Sequence, residues 1–336
     1  MGFLSTRKYF DFIDSYTALT DNEWIEYKQF YAALTMHIAL FGYSHFTRNC
    51  AEALKSLGHD LTLYCPRGDQ NFFEQAGMAS VGLPVVWFEG MADPALAQTL
   101  EAQAPELILT VIFNHRIPES ITQQASLGAL NVHPAPLPSV RTAAVWFWPL
   151  RLGLTRSEVC IHHLTPTLDA GPVILRFPFR LHPAETQGTL TRRLNTLAPK
   201  VMQQLDHMLS ENSLPEGEPQ GPGQTYPSLQ AADLWVDFSE PSESVRNLVR
   251  ACTPYHAAQT RFRGNTLAIH ELGEQAAALS PDSTPGQLQV GDDLWVCCGD
   301  GLLPVAVVAV PGEGVFSGKR FAALFDVRDG EVLGGT

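Results

Sequence analysis

Short apolar runs alternate with amphipathic stretches through the first two thirds of the chain. Residues 36–42 are almost wholly apolar, as expected for a strand buried on both faces. Residues 47–57 then read as a helix, which stops at Gly58, a good C-cap. The same alternation predicts strands at 60–65, 85–88 and 107–113, and helices at 72–81 and 94–102. Strands separated by helices predict an α/β fold with a doubly wound, mostly parallel sheet. Further along, 131–133, 159–164 and 173–175 read as strands and 186–210 as a long helix. The stretch 142–152, with Val145, Trp146, Phe147 and Trp148, reads mainly as core.

The pattern then breaks. Residues 214–227 hold Pro215, Gly217, Pro219, Gly221, Pro222 and Gly223, a composition that reads as a linker. Beyond it, a helix at 242–251 and short strands at 259–262, 266–270, 294–298 and 305–310 predict a small β-barrel. The expected organisation is an extension (1–35), a catalytic domain (36–213), the linker (214–227) and a C-terminal barrel (228–336). The extension is rich in aromatics, among them Tyr9, Phe10, Trp24 and Tyr31, and Thr20 with Glu23 resembles a helix start. One or two helices packed on the domain surface are expected there, offering a contact for a partner or a second copy.

Composition narrows the class. The chain has 336 residues, 45% of them hydrophobic, enough for two cores rather than one. No apolar run reaches membrane-spanning length. Arg7, Lys8 and Asp11 among aromatics do not read as a signal peptide, and Met1-Gly2 with Thr6 matches a myristoylation pattern too loosely to count. The six cysteines form no C-x-x-C, so scattered reduced thiols in a cytoplasmic protein are expected, with no metal. Gly42-Tyr43-Ser44-His45-Phe46 after the first strand lacks the spaced glycines of an NAD site. The net charge of −13 argues against a nucleic-acid partner, which calls for a basic face.

Candidate chemistry lies between residues 131 and 172. Asn131-Val132-His133 alternates polar, apolar, polar, so Asn131 and His133 share a face if the segment is extended. Pro134-Ala135-Pro136-Leu137-Pro138 must end that strand. The two side chains therefore stand at a strand's carboxyl end, where open α/β sheets bind ligands. Asp169 follows 36 residues after His133, on a turn before Gly171-Pro172, where its carboxylate could meet the imidazole. Any one of the three alone reads as an ordinary loop cap or turn residue. Their joint spacing beside the prolines points to a site. His162 and His163 adjoin it but face opposite ways, so at most one comes near, and packing or surface is the commoner fate.

The combination of Asn131-x-His133, Leu137-Pro138 and Leu168-Asp169-x-Gly171 resembles the folate-dependent formyltransferase family. Val236-Asp237-Phe238, Val245-Arg246-Asn247, Thr253-Pro254 and Cys298-Gly299-Asp300-Gly301 resemble its C-terminal domain, so the likeness spans about residues 36–335. The resemblance implies a formyltransferase-like Rossmann variant followed by an OB-like barrel. It implies 10-formyltetrahydrofolate as cosubstrate, with Asn131, His133 and Asp169 as the catalytic trio. Ile112, Phe113, Arg116, Leu164 and Leu168 would wall the folate pocket, and Arg141 would contact an anionic substrate.

The chain departs from the family around Pro134-Ala135-Pro136 and Ser139-Val140-Arg141-Thr142, where Ser-Leu-Leu-Pro and an Arg-Gly turn are more usual. The substrate side is therefore expected to be unusual. No long basic insert separates the second and third strands, and from Tyr226 onward seven Lys/Arg face fourteen Asp/Glu. These features favour an N-formyltransferase acting on a small amine, an amino-sugar nucleotide or an amino-acid derivative. The alternatives are a methionyl-tRNA formyltransferase, a formyltetrahydrofolate hydrolase or a formyl-handling domain related to hydrogenase maturation, and a folate-binding or scaffold protein without activity.

Overall fold

The computed structural model describes residues 35–209, 213–273, 278–279 and 282–334, so the helices expected in 1–35 fall almost entirely outside the described residues. Seven strands build the first sheet: β1 (His37–Phe41), β2 (Asp60–Pro66), β3 (Val85–Phe88), β4 (Leu107–Val111), β5 (Gly128–His133), β6 (Arg156–His163) and β7 (Val173–Arg180). Their spatial order is β3-β2-β1-β4-β5-β6-β7. The pairs from β3 through β5 are parallel, and β5–β6 and β6–β7 are antiparallel. The doubly wound, mostly parallel sheet is thus present, and its strand order reverses at β1.

Helices cover both faces. One face buries Ile38, Leu40, Leu109, Leu130 and Val132 with Phe46 and Leu54 of α1 (His45–Ser56). The other buries Ala39, Phe41, Ile108 and Ala129 with Leu96 and Leu100. Strand alternation puts Asn131 and His133 on this second face, in line with Ala129. Ser44 caps α1 by accepting from Thr47 N, and Thr47 Oγ1 donates to Val111 O (2.7 Å), tying the helix start to the end of β4. The long helix Gln187–Leu209 buries Leu190, Leu194, Ala198, Val201, Met202 and Leu205, a stripe at helical spacing.

Two expected elements differ. The helix expected at 72–81 is short, Gln70–Gln75, and a 3-10 turn, Met78–Val81, follows it. Gly77 at φ +65 breaks the run, because a left-handed residue cannot propagate a right-handed helix. The strand expected at 107–113 stops at Val111, because Ile112 has φ +50. That is a strained setting for a β-branched residue, and it turns the chain out of the sheet.

The C-terminal strands Ala258–Phe262, Asn265–Leu272, Leu288–Val290, Leu294–Cys297, Leu302–Val310 and Gly314–Ser317 form an antiparallel sheet. The helix Ser242–Cys252 joins it to the first sheet. Arg250 Nη2 donates to Leu150 O (3.2 Å), and Arg151 pairs with Glu240 through Nη2 (2.8 and 3.0 Å).

The Pro/Gly-rich stretch between the two sheets is bound along its length. Val173 and Glu218 exchange backbone hydrogen bonds (2.9 and 2.8 Å). Gln224 O accepts from Arg141 N, and Tyr226 N donates to Arg141 O. The Tyr226 ring stacks on Trp148 at 4.8 Å, and Trp148 Nε1 donates to Pro227 O. Proline and glycine suit this role: the chain runs extended, without a helix of its own, and comes close to its neighbours. A Cβ on Gly223 would lie 2.1 Å from Pro138 O.

Candidate active site

Asn131 sits between two neighbours of its own row in the sheet, Thr110 on β4 and His162 on β6. Thr110 Oγ1 donates to Asn131 Oδ1 (2.7 Å). This fixes the amide, so its nitrogen faces His162 Nε2 (3.0 Å) and Asp169 Oδ1 (3.2 Å). His162 Nδ1 lies 2.8 Å from the carbonyl of His163. A carbonyl only accepts, so Nδ1 carries the hydrogen and Nε2 receives the Asn131 amide.

The same reasoning sets His133. Its Nε2 lies 2.9 Å from Val140 O and must donate there. The neutral ring therefore presents a bare Nδ1, 3.5 Å from Asp169 Oδ2. Burial pushes the His133 pKa down, and His162 adds to this. The Asp169 carboxylate and the Val140 carbonyl oppose it without reversing it. Burial alone would raise the Asp169 pKa, but His133, His162 and the Thr142 backbone bring it below the ordinary carboxylate value. At neutral pH the site thus holds a neutral imidazole with an open lone pair beside an ionised carboxylate.

Asp169 reaches this place from an awkward backbone. It has φ +47, in the left-handed region, and is only 7% exposed. Gly171, two residues on, presses against β6 so closely that a Cβ would meet His163 O at 1.9 Å. The carbonyls of Asp169 and Gly171 both accept from Gln220 Nε2, at 2.9 and 2.7 Å.

The structure therefore brings Asn131, His133 and Asp169 together. The residues expected to wall a folate pocket are more scattered. Phe113 and Leu164 both pack on the cluster of Phe41, Ile108 and Ala129, on the sheet face of the trio. Ile112 occupies the strained turn after β4 and packs against Ala135, Val140 and Val145. Leu168, immediately before Asp169, is 53% exposed. Arg116 is exposed. Arg141 directs Nη2 to Gln220 Oε1 (3.0 Å) and Gly221 O (3.3 Å), so its guanidinium is partly committed within the chain.

Three further side chains belong to this hydrogen-bond network. Of His162 and His163, expected to bring at most one ring near the site, His162 is the one: it is packed inside and holds the Asn131 amide. The signal would have been its register opposite Asn131, which requires knowing that β6 pairs with β5 antiparallel. Thr110 and Gln220 carried no local signal. The Cys160 thiol, paired in register with His133, is no ready nucleophile: it is buried, and burial with Glu158 beside it raises its pKa well above the ordinary value. Among the described residues no group of three or more His, Cys, Asp and Glu is arranged to hold a metal.

Comparison with known proteins places the chain in a family. Residues 38–205 match the formyl transferase family, and residues 228–325 match the formyl transferase C-terminal domain. A methionyl-tRNA formyltransferase of Syntrophus aciditrophicus is 30% identical over 261 residues, covering 76% of this chain and 82% of its own length. The N-formyltransferase from Helicobacter canadensis, solved with folinic acid and dTDP-3-aminofucose, superposes with a TM-score of 0.61 at 13% identity, over 81% of this chain and 99% of that one. HypX from Aquifex aeolicus, solved with tetrahydrofolic acid, superposes with a TM-score of 0.58 at 16% identity over 86% of this chain, which spans 47% of that longer protein. At such identities the two solved structures speak for the fold. The matches to both domains and the aligned relative speak for descent, and the chain belongs to the formyl transferase family.

Proposed function

We propose that this protein moves the formyl group of 10-formyltetrahydrofolate onto the amine of a small molecule, an amino-sugar nucleotide or an amino-acid-derived amine. One observation carries the reading: with Nε2 bound to Val140 O, His133 turns Nδ1 toward Asp169 at 3.5 Å, beside the Asn131 amide. The folate supplies an activated formyl carbon. His133 Nδ1 takes the proton that the attacking amine loses, and Asp169 stabilises the imidazolium that results. The same nitrogen returns the proton to the departing folate nitrogen, so tetrahydrofolate leaves neutral at that position. Asn131 donates to the oxygen that becomes negative when the amine adds. Its hydrogen for this is the one now on Asp169, the longer of its two bonds at 3.2 Å against 3.0 Å. Ile112, Phe113, Leu164 and Leu168 supply apolar walls for the pterin, with Arg116 at the exposed rim. Arg141 serves the acceptor side with whatever part of its guanidinium Gln220 does not hold.

The preference for a small acceptor rests on charge. The chain carries −13, and from Tyr226 seven Lys/Arg face fourteen Asp/Glu, which repels a phosphate backbone. A second reading, transfer to methionyl-tRNA, is favoured by a different observation, the 30% identity to a protein of that name. Residues 36–213 act as the catalytic unit and 228–336 as the C-terminal unit in either reading. Six unpaired, buried cysteines fit a reducing, cytoplasmic setting. The test is incubation with 10-formyltetrahydrofolate alone, with candidate amines, and with methionyl-tRNA. Amine-dependent release of tetrahydrofolate supports the first reading, and tRNA-dependent release replaces it with the second. Release in water alone makes the protein a hydrolase. No release in any arm removes the enzymatic reading.

A further inference from the structure

We propose that Gln220, from the Pro/Gly-rich strap between the two sheets, is a positioning residue that holds the Asp169 turn against His133. The proposal rests on the reading of the trio given above. Gln220 lies 51 residues from Asp169 and touches neither Asn131 nor His133 through any bond described. Its amide is nevertheless bound wholly to the left-handed turn that carries Asp169. Both hydrogens of Nε2 go to the turn, one to Asp169 O (2.9 Å) and one to Gly171 O (2.7 Å). Oε1 accepts from Arg141 Nη2 (3.0 Å). The orientation has no alternative, because a flipped amide would set its oxygen against two carbonyls and its nitrogen against a guanidinium.

The turn needs such a hold. Asp169 adopts φ +47, a strained backbone for an L residue with a side chain, which persists only where its surroundings hold it. The turn's own backbone bond is weak, Ala170 N to Thr167 O at 3.4 Å. Leu168 before it is exposed, so little packing restrains that side. On the other side Gly171 is pressed onto His163 O. The two carbonyls gripped by Gln220 bracket Ala170, and their position sets where the Asp169 carboxylate points. The strap itself is anchored on either side of Gln220, by the Val173–Glu218 backbone pair and by the Arg141–Gln224 and Arg141–Tyr226 bonds. A segment that connects two domains thus reaches back to fix one member of the site in the first.

The test separates positioning from mere stability. Gln220→Glu keeps an oxygen for Arg141 but faces two carbonyls with a carboxylate, so it releases the turn. Gln220→Ala releases it without adding charge. The groups against His133 are Asp169 on the turn, His162 on β6, Cys160 opposite it in register and the Val140 carbonyl. Of these only Asp169 depends on the turn, and it raises the His133 pKa. Loss of the hold should therefore move the titration of His133 to lower pH. Nuclear magnetic resonance of the imidazole Cε1–H, assigned by its disappearance in His133→Gln, reads this without any substrate.

We expect Gln220→Ala to titrate His133 at lower pH, and Gln220→Glu to do so by less because its own carboxylate opposes the shift, with both melting near the parent temperature. We also expect kcat to fall about tenfold to a hundredfold, with the acid limb of its pH profile displaced the same way and KM little changed. If the His133 titration moves but the parent protein transfers no formyl group, the positioning role stands and the proposed reaction falls. An unmoved titration in both variants overturns the positioning role, whatever the activity.

Discussion

Asn131 and His162 face each other across the antiparallel pair of β5 and β6, and the amide nitrogen of one lies 3.0 Å from Nε2 of the other. With Thr110 Oγ1 on the opposite side at 2.7 Å, three adjacent strands each contribute one group to a single row. The row leaves the Asn131 amide one way to point. A preorganised donor of this kind loses nothing to reorientation when charge develops on a substrate oxygen.

Removing the donor tests that role directly. Asn131→Ala should slow formyl transfer by roughly two orders of magnitude, about 3 kcal/mol of barrier, with the change in kcat rather than KM. Steady-state kinetics with the acceptor found in the incubation test measures it. An unchanged kcat would remove Asn131 from the mechanism.

The flanking groups should matter less, and in a graded way. Thr110→Val removes the hydrogen bond to Asn131 Oδ1 while keeping the β-branched shape. His162→Phe keeps a buried ring but leaves the Asn131 N–H without its acceptor. Each should lower kcat by about tenfold, the effect of an amide free to rotate out of place. The double variant should fall short of the product of the two, because both act through one amide. Full multiplicativity would mean that they act separately.

The direction of the His133 shift makes a pH prediction. Its folded pKa lies below the ordinary imidazole value of 6.5, and the reaction needs the neutral ring, so the acid limb of kcat should fall below pH 6.5. For stability, the unfolded chain takes up a proton near pH 6.5 that the folded chain refuses. The contribution of His133 is therefore intact above pH 6.5 and is lost as pH falls from there toward the folded value. Asp169 works the same way lower down, its contribution being intact above 3.8 and lost as pH falls through its depressed value. Thermal melts across pH should show a decline below pH 6.5 that His133→Gln flattens. A melt independent of this residue would contradict the assigned burial of a neutral ring.

Glycines in the strap supply a paired experiment. Gly223→Ala would bring a Cβ to 2.1 Å from Pro138 O and must lift the strap from the loop after β5. Gly221→Ala meets nothing within 4 Å. The first should cost roughly 1–3 kcal/mol of stability and depress activity, and the second should leave both near the parent. Denaturant melts and kcat measured side by side decide it. Equal behaviour of the two variants would show that the strap does not seat as described.

Much of this was legible in the residue order. Buried strands such as 36–42 announce themselves as apolar runs. The prolines from Pro134 to Pro138 end β5, and Asn131 and His133 share a face because strand periodicity is two. Those are local rules, enforced by sterics within a few residues. The apolar run 107–113 outlasts its strand by two residues because nothing in Ile112-Phe113 signals a left-handed turn at a β-branched residue. The helical pattern over 72–81 runs straight through Gly77, whose conformation the chain chooses only once its neighbours pack.

The amino-acid order by itself determined the layered α/β architecture, the strand end that carries the amide and the imidazole, and the family likeness. Only the folded molecule decided that His162 lies opposite Asn131, that Nε2 of His133 is taken by Val140 O and leaves Nδ1 facing Asp169, and that a presumed linker grips the Asp169 turn. The reason is range. Periodicity and turn chemistry act between near neighbours, whereas strand register, tautomer and a contact 51 residues apart depend on which partners the completed sheet brings within hydrogen-bonding distance.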